Sequence, residues 1–207
     1  SVGVMALIVV MGVMTGFDEE LTAAIMGNNA HLQIFDPRGL PIENPDTVIA
    51  ELQSAFPEIV AASPFTIVEA ALRRGGSGAS DVKAAILIGV DMERETHVTQ
   101  IAENLTHTRG RTMSVGELPG NDEIVLGYIL AQNVGVYLGD DVVAMTLGDL
   151  PAPLFSKRFQ NKYLTVSGVS QAQMQDIDSM YGFVTLETAA QLKRQTGVDG
   201  IRCTLRE

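Results

Sequence analysis

The pattern of apolar and polar positions at the start of the chain predicts a helix that leaves a membrane. Residues 2–14 are apolar and uncharged, and three acidic residues follow at positions 18–20. As a helix, residues 2–17 rise about 24 Å at about 1.5 Å per residue, less than a hydrocarbon core of about 30 Å. Apolar residues then recur at helical spacing at Leu21, Ile25 and Met26. We expect residues 1–29 to be the end of a transmembrane helix and its extension into water; a buried helix of a soluble protein is the alternative.

The next part of the chain predicts a strand, a helix and a β-hairpin. Residues 31–35 suit a strand, and Asp46 can cap a helix whose apolar spacing continues to Pro57. Residues 59–72 and 82–90 are rich in β-branched and apolar residues and predict two strands, the first with a break at Pro64. The glycine-rich residues between them predict the hairpin tip.

The remaining pattern is more mixed. Residues 91–122 are polar and predict loop and short helix, and residues 147–161 and 170–179 predict loops. Gly135 is expected to end the helix of residues 128–133, and Gly197 is expected to end the helix of residues 187–196. The expected strands are 123–127, 142–147, 162–169, 181–186 and 201–205, and the expected helices are 128–133 and 187–196.

A strand–helix–strand order occurs near both ends of the chain. It covers residues 32–65 and recurs over residues 183–205. Two such units predict an α+β fold in which both chain ends build one α/β lobe, residues 30–91 and 180–207. The middle, residues 92–179, is then an inserted β-rich lobe that contains a proline-containing excursion at residues 147–161.

Composition excludes several classes of function. The net charge of −11, from 14 basic and 25 acidic residues, argues against nucleic-acid binding. The single cysteine, Cys203, excludes an internal disulfide and is expected to be a small buried residue. The three histidines lack metal-ligand spacing, so we expect no metal site and no cofactor.

Enzymatic chemistry finds little support. No serine lies in a Gly-x-Ser-x-Gly motif, and no lysine follows Gly75 and Gly76 as a phosphate-binding loop requires. The pairs Asp140/Asp141 and Asp176/Asp178 lie in predicted turns, where aspartate commonly binds backbone groups. A hydrolase remains an alternative only if Asp176 and Asp178 converge in a pocket.

Several segments resemble the lipoprotein-releasing ABC transporter permeases of the LolC/LolE family. The first are LIVVMGVMTGFDEEL at residues 7–21 and GNNAHLQI at residues 27–34. The others are VAASPF at 60–65, IGVD at 88–91, IVLGYILA at 124–131, GVYLGD at 135–140 and the run of residues 167–192. The resemblance implies a MacB-like periplasmic core with a Porter-like lobe and an inserted Sabre-like lobe, and it implies that residues 147–161 form a hairpin that projects from the inserted lobe.

The same resemblance implies a non-catalytic permease subunit of the bacterial inner membrane, mostly periplasmic in this region. A separate cytoplasmic ATPase subunit would hydrolyse ATP, and a second permease subunit or second copy would complete the transporter. Lipoprotein cargo would then pass to a periplasmic chaperone. Whether this subunit docks the chaperone or contacts the lipoprotein stays open.

Two sets of residues are the candidates for contact with these partners. The hairpin combines apolar and basic residues, which suits partner capture, although an ordinary packed hairpin is also possible. Its candidate chaperone-binding residues are Leu150, Pro151, Pro153, Leu154, Phe155, Lys157, Arg158 and Phe159. The candidate residues for lipid or lipoprotein contact are Val10, Met11, Met14 and Phe17.

Two further alternatives are a related MacB-like exporter of drugs, toxins or peptides, and a soluble binding module. The exporter would share the fold and differ in its partners. The binding module would require residues 2–17 to lie in a protein core.

Overall fold

The computed structural model of the chain describes residues 30–76, 81–105, 107–109, 113–147, 159–172 and 174–206. Its strands are β1 Leu32–Phe35, β2 Ile59–Arg74, β3 Lys83–Val90, β4 His107–Arg109, β5 Met113–Val115, β6 Glu123–Gly127, β7 Asp141–Leu147, β8 Phe159–Ser170, β9 Tyr181–Thr185 and β10 Gly200–Leu205. Its helices are α1 Pro45–Ala55, α2 Met92–Glu95, α3 Tyr128–Val134, α4 Gln175–Met180 and α5 Leu186–Lys193. The α+β class expected from the sequence is confirmed.

One sheet organises eight of these strands in the order β1-β10-β2-β3-β9-β6-β8-β7. Strand β7 also pairs with β2, so six strands from β2 round to β7 close into a ring. The long strand β2 makes this possible because it has different partners along one edge. Its first half pairs with β10, and its last residues pair with β7. Strands β4 and β5 form a separate two-stranded hairpin.

The chain ends meet in this sheet. Strand β10 lies between β1 and β2 and is antiparallel to both, with Leu32 opposite Cys203 and Cys203 opposite Ala62. The two strand–helix–strand units, β1-α1-β2 and β9-α5-β10, are therefore interleaved. The division of the chain into two lobes at residues 91/92 and 179/180 stays a prediction, and the sheet is continuous across both boundaries.

Most of the buried apolar residues lie between the sheet and three helices, and a smaller cluster around Phe65, Ile88 and Val90 uses the alternate residues of β2 and β3. Helices α3 and α5 pack on β2, β3, β6, β7, β8 and β9 through buried residues such as Leu130, Leu192 and Leu87. Helix α1 covers a second cluster, in which Ile49 is grouped with Ile201 and Cys203 of β10. The burial of Cys203 was expected from its position in an alternating apolar segment.

Local sequence explains where several helices begin and end. Thr185 caps α5, because its hydroxyl accepts a hydrogen bond from the Thr188 N–H at 3.2 Å. Gly135 ends α3 in the left-handed conformation, at φ 75°, which glycine adopts without steric cost. The expected end of α3 is thus confirmed, whereas α5 ends at Lys193, before Gly197, with Arg194 in the left-handed conformation.

Other expectations need correction. The first helix starts at Pro45 after Asn44, so Asp46 lies in its first turn and is not its cap. Strand β2 continues through Pro64 without a break. Pro64 lies just before the β2–β3 ladder begins at Phe65, where β2 pairs only with β10, and a strand with one partner tolerates proline better than a central strand.

Two segments that were expected to be loop contain regular structure. The polar region 91–122 includes the β4–β5 hairpin in addition to the expected short helix α2. Residues 175–180 form helix α4 and were expected to be loop. Both elements are short and polar, so hydrophobic periodicity does not reveal them.

The N-terminal residues 1–29, including the predicted end of a transmembrane helix, lie outside the described residues. Within the described ranges, none of the helices has the length and apolar character needed to cross a bilayer.

Candidate docking ribbon and its support

Only one of the residues predicted to contact partners lies within the part of the chain that the structure describes. Of the candidate hairpin residues, Phe159 is the first residue of β8 and pairs with Leu147 at the end of β7. The other seven, Leu150, Pro151, Pro153, Leu154, Phe155, Lys157 and Arg158, lie outside the described residues. The candidate lipid-contact residues Val10, Met11, Met14 and Phe17 also lie outside them.

The strands that carry this segment form a ribbon, defined here as β7 and β8. They pair antiparallel without a register shift, from Asp141 opposite Thr165 to Leu147 opposite Phe159. Residues 148–158 therefore join the two strands at the end of an unbroken ladder. The predicted excursion of residues 147–161 is shorter than expected, because both of its ends belong to the strands.

Neighbouring strands hold the near end of the ribbon on both sides. Residues 142–145 of β7 pair with the end of β2, and β8 pairs in parallel with β6 from Thr165 onward. The last residues before the connection, Thr146 and Leu147 on β7, extend beyond the β2 ladder. The ribbon is thus anchored at one end and free of strand partners outside itself at the other, within the described residues.

Helix α5 supports the ribbon where its strand neighbours end. The buried Thr146 hydroxyl donates to the Leu192 carbonyl at 3.0 Å, and the Gln160 amide donates to the Gln191 carbonyl at 3.3 Å. The Lys162 ammonium donates to the Gln191 side chain. The last carbonyls of a helix have no partner within the helix, so the ribbon supplies donors that the end of α5 needs.

The ribbon also carries an exposed aromatic residue and an engaged cation. Tyr163 is 64% exposed on β8, whereas the neighbouring Lys162 forms a salt bridge with Asp122. Arg74, at the end of β2, forms a second salt bridge with Asp140 at 3.2 Å. Lys162 and Arg74, both near the base of the ribbon, are therefore each paired with a carboxylate.

The aspartate pairs act as structural groups. Asp140 accepts hydrogen bonds from the Tyr137 N–H and Arg74, and Asp141 accepts one from the Thr165 hydroxyl. Asp178 is buried and accepts a hydrogen bond from the Ala172 N–H at 2.8 Å, whereas Asp176 is exposed in the first turn of α4. Asp176 and Asp178 thus lie in different environments, one exposed and one buried.

A polar cluster after α5 was not predicted from the sequence. Asp199 accepts hydrogen bonds from the Ile67 N–H at 2.8 Å, from the Lys193 ammonium at 2.7 Å and from Gln195 at 3.1 Å. Burial alone would raise the pKa of Asp199, but these donors, led by Lys193, outweigh it and hold the pKa below its usual value. The cluster ties the turn before β10 to β2.

A surface groove of about 990 Å³ lies beside this cluster and the edge strand β1. Its apolar lining comes from β1 and the following loop, including Phe35 and Leu40, and its other wall includes Arg194 and Thr196. Near the rim, the Arg38 guanidinium hydrogen-bonds Asp36 and lowers the pKa of that carboxyl. Among the described residues, no three His, Cys, Asp or Glu side chains gather as a metal site would require.

The fold is that of periplasmic and extracellular domains of ABC transporters. The chain is similar to the periplasmic region of MacB from Actinobacillus actinomycetemcomitans, with a TM-score of 0.50 and 16% identity over 86% of this chain and 67% of that one. It is also similar to the extracellular domain of the noncanonic ABC-type transporter YknZ from Gram-positive bacteria, with a TM-score of 0.50 and 12% identity over 85% of this chain and 83% of that one. These likenesses concern the fold alone.

The sequence assigns the family. The model of the MacB-like periplasmic core domain matches residues 1–206, so the chain belongs to that family. Among curated proteins, it is 27% identical to the lipoprotein-releasing system transmembrane protein LolC of Xylella fastidiosa strain Temecula1, over 100% of this chain and 47% of that protein. It is 27% identical to the LolC of Neisseria meningitidis serogroup B, over 99% of this chain and 47% of that protein. The expected resemblance is confirmed, and the chain spans about half the length of these relatives.

Proposed function

We propose that this chain is the periplasmic region of an ABC transporter permease subunit that helps to extract lipoproteins from the inner membrane and to pass them to a periplasmic chaperone. The names of the curated relatives support the cargo, and the family supports the place of the domain in a transporter. In this proposal the subunit is not a catalyst. A separate cytoplasmic ATPase subunit hydrolyses ATP, and a second permease subunit or second copy completes the complex.

The proposal assigns the work of extraction to the ATPase because acyl chains hold lipoproteins firmly in the bilayer. Each buried methylene contributes about 0.8 kcal/mol, so several chains together prevent spontaneous release. Residues 1–29 are proposed to connect the domain to the membrane, with Val10, Met11, Met14 and Phe17 contacting lipid or lipoprotein. Methionine suits a surface of irregular partners because its thioether side chain is flexible.

The β7–β8 ribbon is the observation that best supports chaperone docking. Its ladder is continuous to Leu147 and Phe159, and β2, β6 and α5 hold its base. A base held in this way fixes the two points from which residues 148–158 leave the ribbon. The proposal therefore places the chaperone contact on that connection, with Phe155 as its apolar anchor.

The test uses the full-length permease assembled with its ATPase and partner permease in vesicles that contain a triacylated lipoprotein. With ATP and a purified periplasmic lipoprotein chaperone present, we expect lipoprotein in the soluble fraction. A photo-reactive amino acid at position 155 should crosslink to the chaperone, and one at Met11 or Met14 should crosslink to lipid or lipoprotein. The matched control at Tyr137, which is exposed at the end of α3, should not crosslink to the chaperone.

Two results would contradict the proposal. If ATP hydrolysis proceeds without release of lipoprotein to any periplasmic chaperone, the cargo is wrong. If release occurs but position 155 never crosslinks, the docking role of the ribbon is wrong, and this subunit is instead the one that meets the lipoprotein.

A related exporter of drugs, toxins or peptides is the second candidate, because the fold is shared with the periplasmic region of MacB. Such a transporter would move its substrate without a lipoprotein chaperone. ATP-dependent transport of a small molecule or peptide by the same vesicles, with no release of lipoprotein, would favour it.

A further inference from the structure

A histidine side chain ends the hydrogen-bond ladder between the first and last strands of the sheet. The pairing of β1 with β10 begins at Leu32, which lies opposite Cys203. Just outside this pairing, the N–H of Leu205 donates to Nδ1 of His31 at 3.1 Å, across 174 positions of sequence. The imidazole therefore takes the place that a backbone carbonyl would occupy if the ladder continued.

Two successive amides at the end of β10 show why an acceptor is needed there. Successive N–H groups of a strand point to opposite neighbours in an antiparallel sheet. The N–H of Arg206 points to the side of β2 and donates to the Glu58 carbonyl at 2.8 Å. The N–H of Leu205 points to the side of β1, where the backbone ladder has ended. An unpaired amide in a part-buried place costs free energy, and His31 supplies the missing acceptor.

Only one protonation state of the His31 ring can form this bond. A neutral imidazole has a hydrogen on one ring nitrogen and a lone pair on the other, so an acceptor at Nδ1 places the hydrogen on Nε2. A proton bound at Nδ1 converts that nitrogen into a donor, and two N–H groups then face each other. Histidine is the side chain that commonly changes its charge between pH 5 and 8. His31 is partly exposed, so water has access to the ring.

The surrounding charges do not replace this bond when the ring is protonated. None of the ion pairs among the described residues includes His31. Several carboxylates nearby are already engaged, because Glu95 binds Arg202 and Arg94 binds both Asp46 and Asp91. The titratable and charged groups of the elements around this end of the sheet are Arg202, Cys203 and Arg206 at β10, Glu58 before β2, Asp46 and Glu51 of α1, and Asp91, Glu93, Arg94, Glu95, His97 and Glu103 of residues 91–105.

We propose that His31 is a pH-sensitive cap of the β1–β10 ladder, which binds the Leu205 amide when the ring is neutral and releases it when the ring is protonated. The proton passes from water to Nδ1, and the amide then binds water in place of the ring. Residues 30 and 206 leave the sheet at this end, so the cap acts where the chain enters and leaves the described domain. The cap involves no cargo, so it goes beyond the proposed function and does not rest on it.

The test measures amide hydrogen exchange at the end of β10 in the full-length permease with its complete complex. Mass spectrometry with electron-transfer fragmentation resolves single amides, and each rate is divided into the intrinsic rate at the same pH to give a protection factor. We expect the protection factor of the Leu205 amide to fall about tenfold or more between about pH 7.5 and about pH 5. The Arg206 amide, whose acceptor is a backbone carbonyl, is the internal control and should change less than about threefold.

Two variants of His31 separate the acceptor from its titration. His31→Asn places an amide oxygen near the position of Nδ1 and does not titrate, so protection of the Leu205 amide should stay within about threefold of the neutral parent's at both pH values. His31→Leu has no acceptor, so protection should be low at both. The matched control is His97→Asn, because His97 is an exposed histidine for which the described residues show no side-chain hydrogen bond. This variant should keep the parent's pH response.

The cap is overturned by any of three results. These are a parent whose Leu205 protection does not change with pH, a His31→Asn variant that loses protection at low pH as the parent does, and a His31→Leu variant that keeps full protection at neutral pH. Equal protection of the β6 amides in all variants shows that the fold is intact. A fall with pH in the parent that is absent from His31→Asn supports the cap even if His31→Leu does not fold.

Discussion

Thr146 and Leu192 are joined by a hydrogen bond of 3.0 Å that runs from strand β7 to the last turn of helix α5. Thr146 is buried, and Leu192 belongs to the main core. The bond therefore fixes the ribbon to the core at the point where β7 loses its partner β2.

Thr146→Val tests this support because valine keeps the shape of threonine and removes the donor. The Leu192 carbonyl then loses a partner in a buried place, and we expect the free energy of unfolding to fall by about 1–2 kcal/mol. Urea unfolding of the periplasmic region measures it. The same substitution at Thr165, an exposed position on β8, should cost less than about 0.5 kcal/mol. If Thr146→Val and Thr165→Val lower the free energy of unfolding equally, the hydrogen bond from Thr146 to helix α5 does not contribute to stability.

Gly89→Ala probes the close approach of α5 to the sheet. A Cβ atom at Gly89 of β3 would overlap the Cβ atom of Ala189 in α5. The helix has to move away, so we expect a loss of about 1–3 kcal/mol in the free energy of unfolding. Gly120→Ala is the control, because its Cβ would meet only the flexible end of Glu123, at 3.1 Å. A parent-like unfolding midpoint for Gly89→Ala would contradict the packing described here.

Asp199 predicts a component of the acid sensitivity of the domain. Its pKa is lowered in the folded state, so its carboxylate contributes stability above the unfolded value of about 3.9, and this contribution is lost as the pH falls through the folded pKa. We expect Asp199→Asn to be less stable than the parent near neutral pH and to show a flatter fall in stability below about pH 4. Urea unfolding at several pH values checks this. Asp176→Asn, at an exposed position, is the control and should change stability near neutral pH by less than about 0.5 kcal/mol. An Asp199→Asn profile parallel to the parent's would refute the prediction.

Phe155→Ala is expected to weaken chaperone binding by more than about 1 kcal/mol, mainly through faster dissociation, because a buried aromatic anchor resists separation. Surface plasmon resonance with the full-length permease complex measures the rates. Phe56→Ala is the matched control, since Phe56 is 55% exposed at the end of α1, away from the ribbon. The unfolding midpoint of each variant must match the parent's, and unchanged dissociation from a folded Phe155→Ala variant would exclude the anchor.

Charge reversal of Lys157 and Arg158 should act on association instead. These cations stand out in a chain with a net charge of −11, so they are expected to steer an acidic partner. The double variant Lys157→Glu/Arg158→Glu should associate more slowly, with a difference that shrinks as salt is added. The control Arg38→Glu/Arg206→Glu changes the net charge equally at exposed positions near β1 and β10. If both double variants associate at the same rate, net charge and not the ribbon explains the effect.

Sequence reasoning was most successful where apolar periodicity was strong. The strand–helix–strand units at both ends emerged because positions such as Val68, Leu72 and Leu192 alternate or recur with the period of their element and lie in the core. Helix α4 was not predicted, because its six residues include two aspartates, a glutamine and a serine and therefore show no apolar periodicity. The β4–β5 hairpin has three residues in each strand, too few to show alternation.

Contacts of the candidate sites were harder to predict because they join residues far apart in sequence. Thr146 looks like an ordinary polar position of an alternating strand, and only the fold places it beside the end of α5. Likewise, Glu95 belongs to a short acidic segment that suggests a solvated surface, yet it is fully buried against Arg202. No local pattern distinguishes a buried carboxylate from an exposed one when its partner is 107 positions away.

The antiparallel pairing of β1 with β10 has a mechanical consequence. Residues 30 and 206 leave the sheet at the same end of this pair, which runs from Leu32 opposite Cys203 to Phe35 opposite Gly200. A force that separates the two ends therefore peels β1 away one residue pair at a time, as a zipper opens. A force that pulls both ends in the same direction along the strands instead shears β10 against β2 and loads all the hydrogen bonds between these two strands at the same time. The domain is thus weak against a force that separates its two ends and stronger against a force that pulls both ends in one direction.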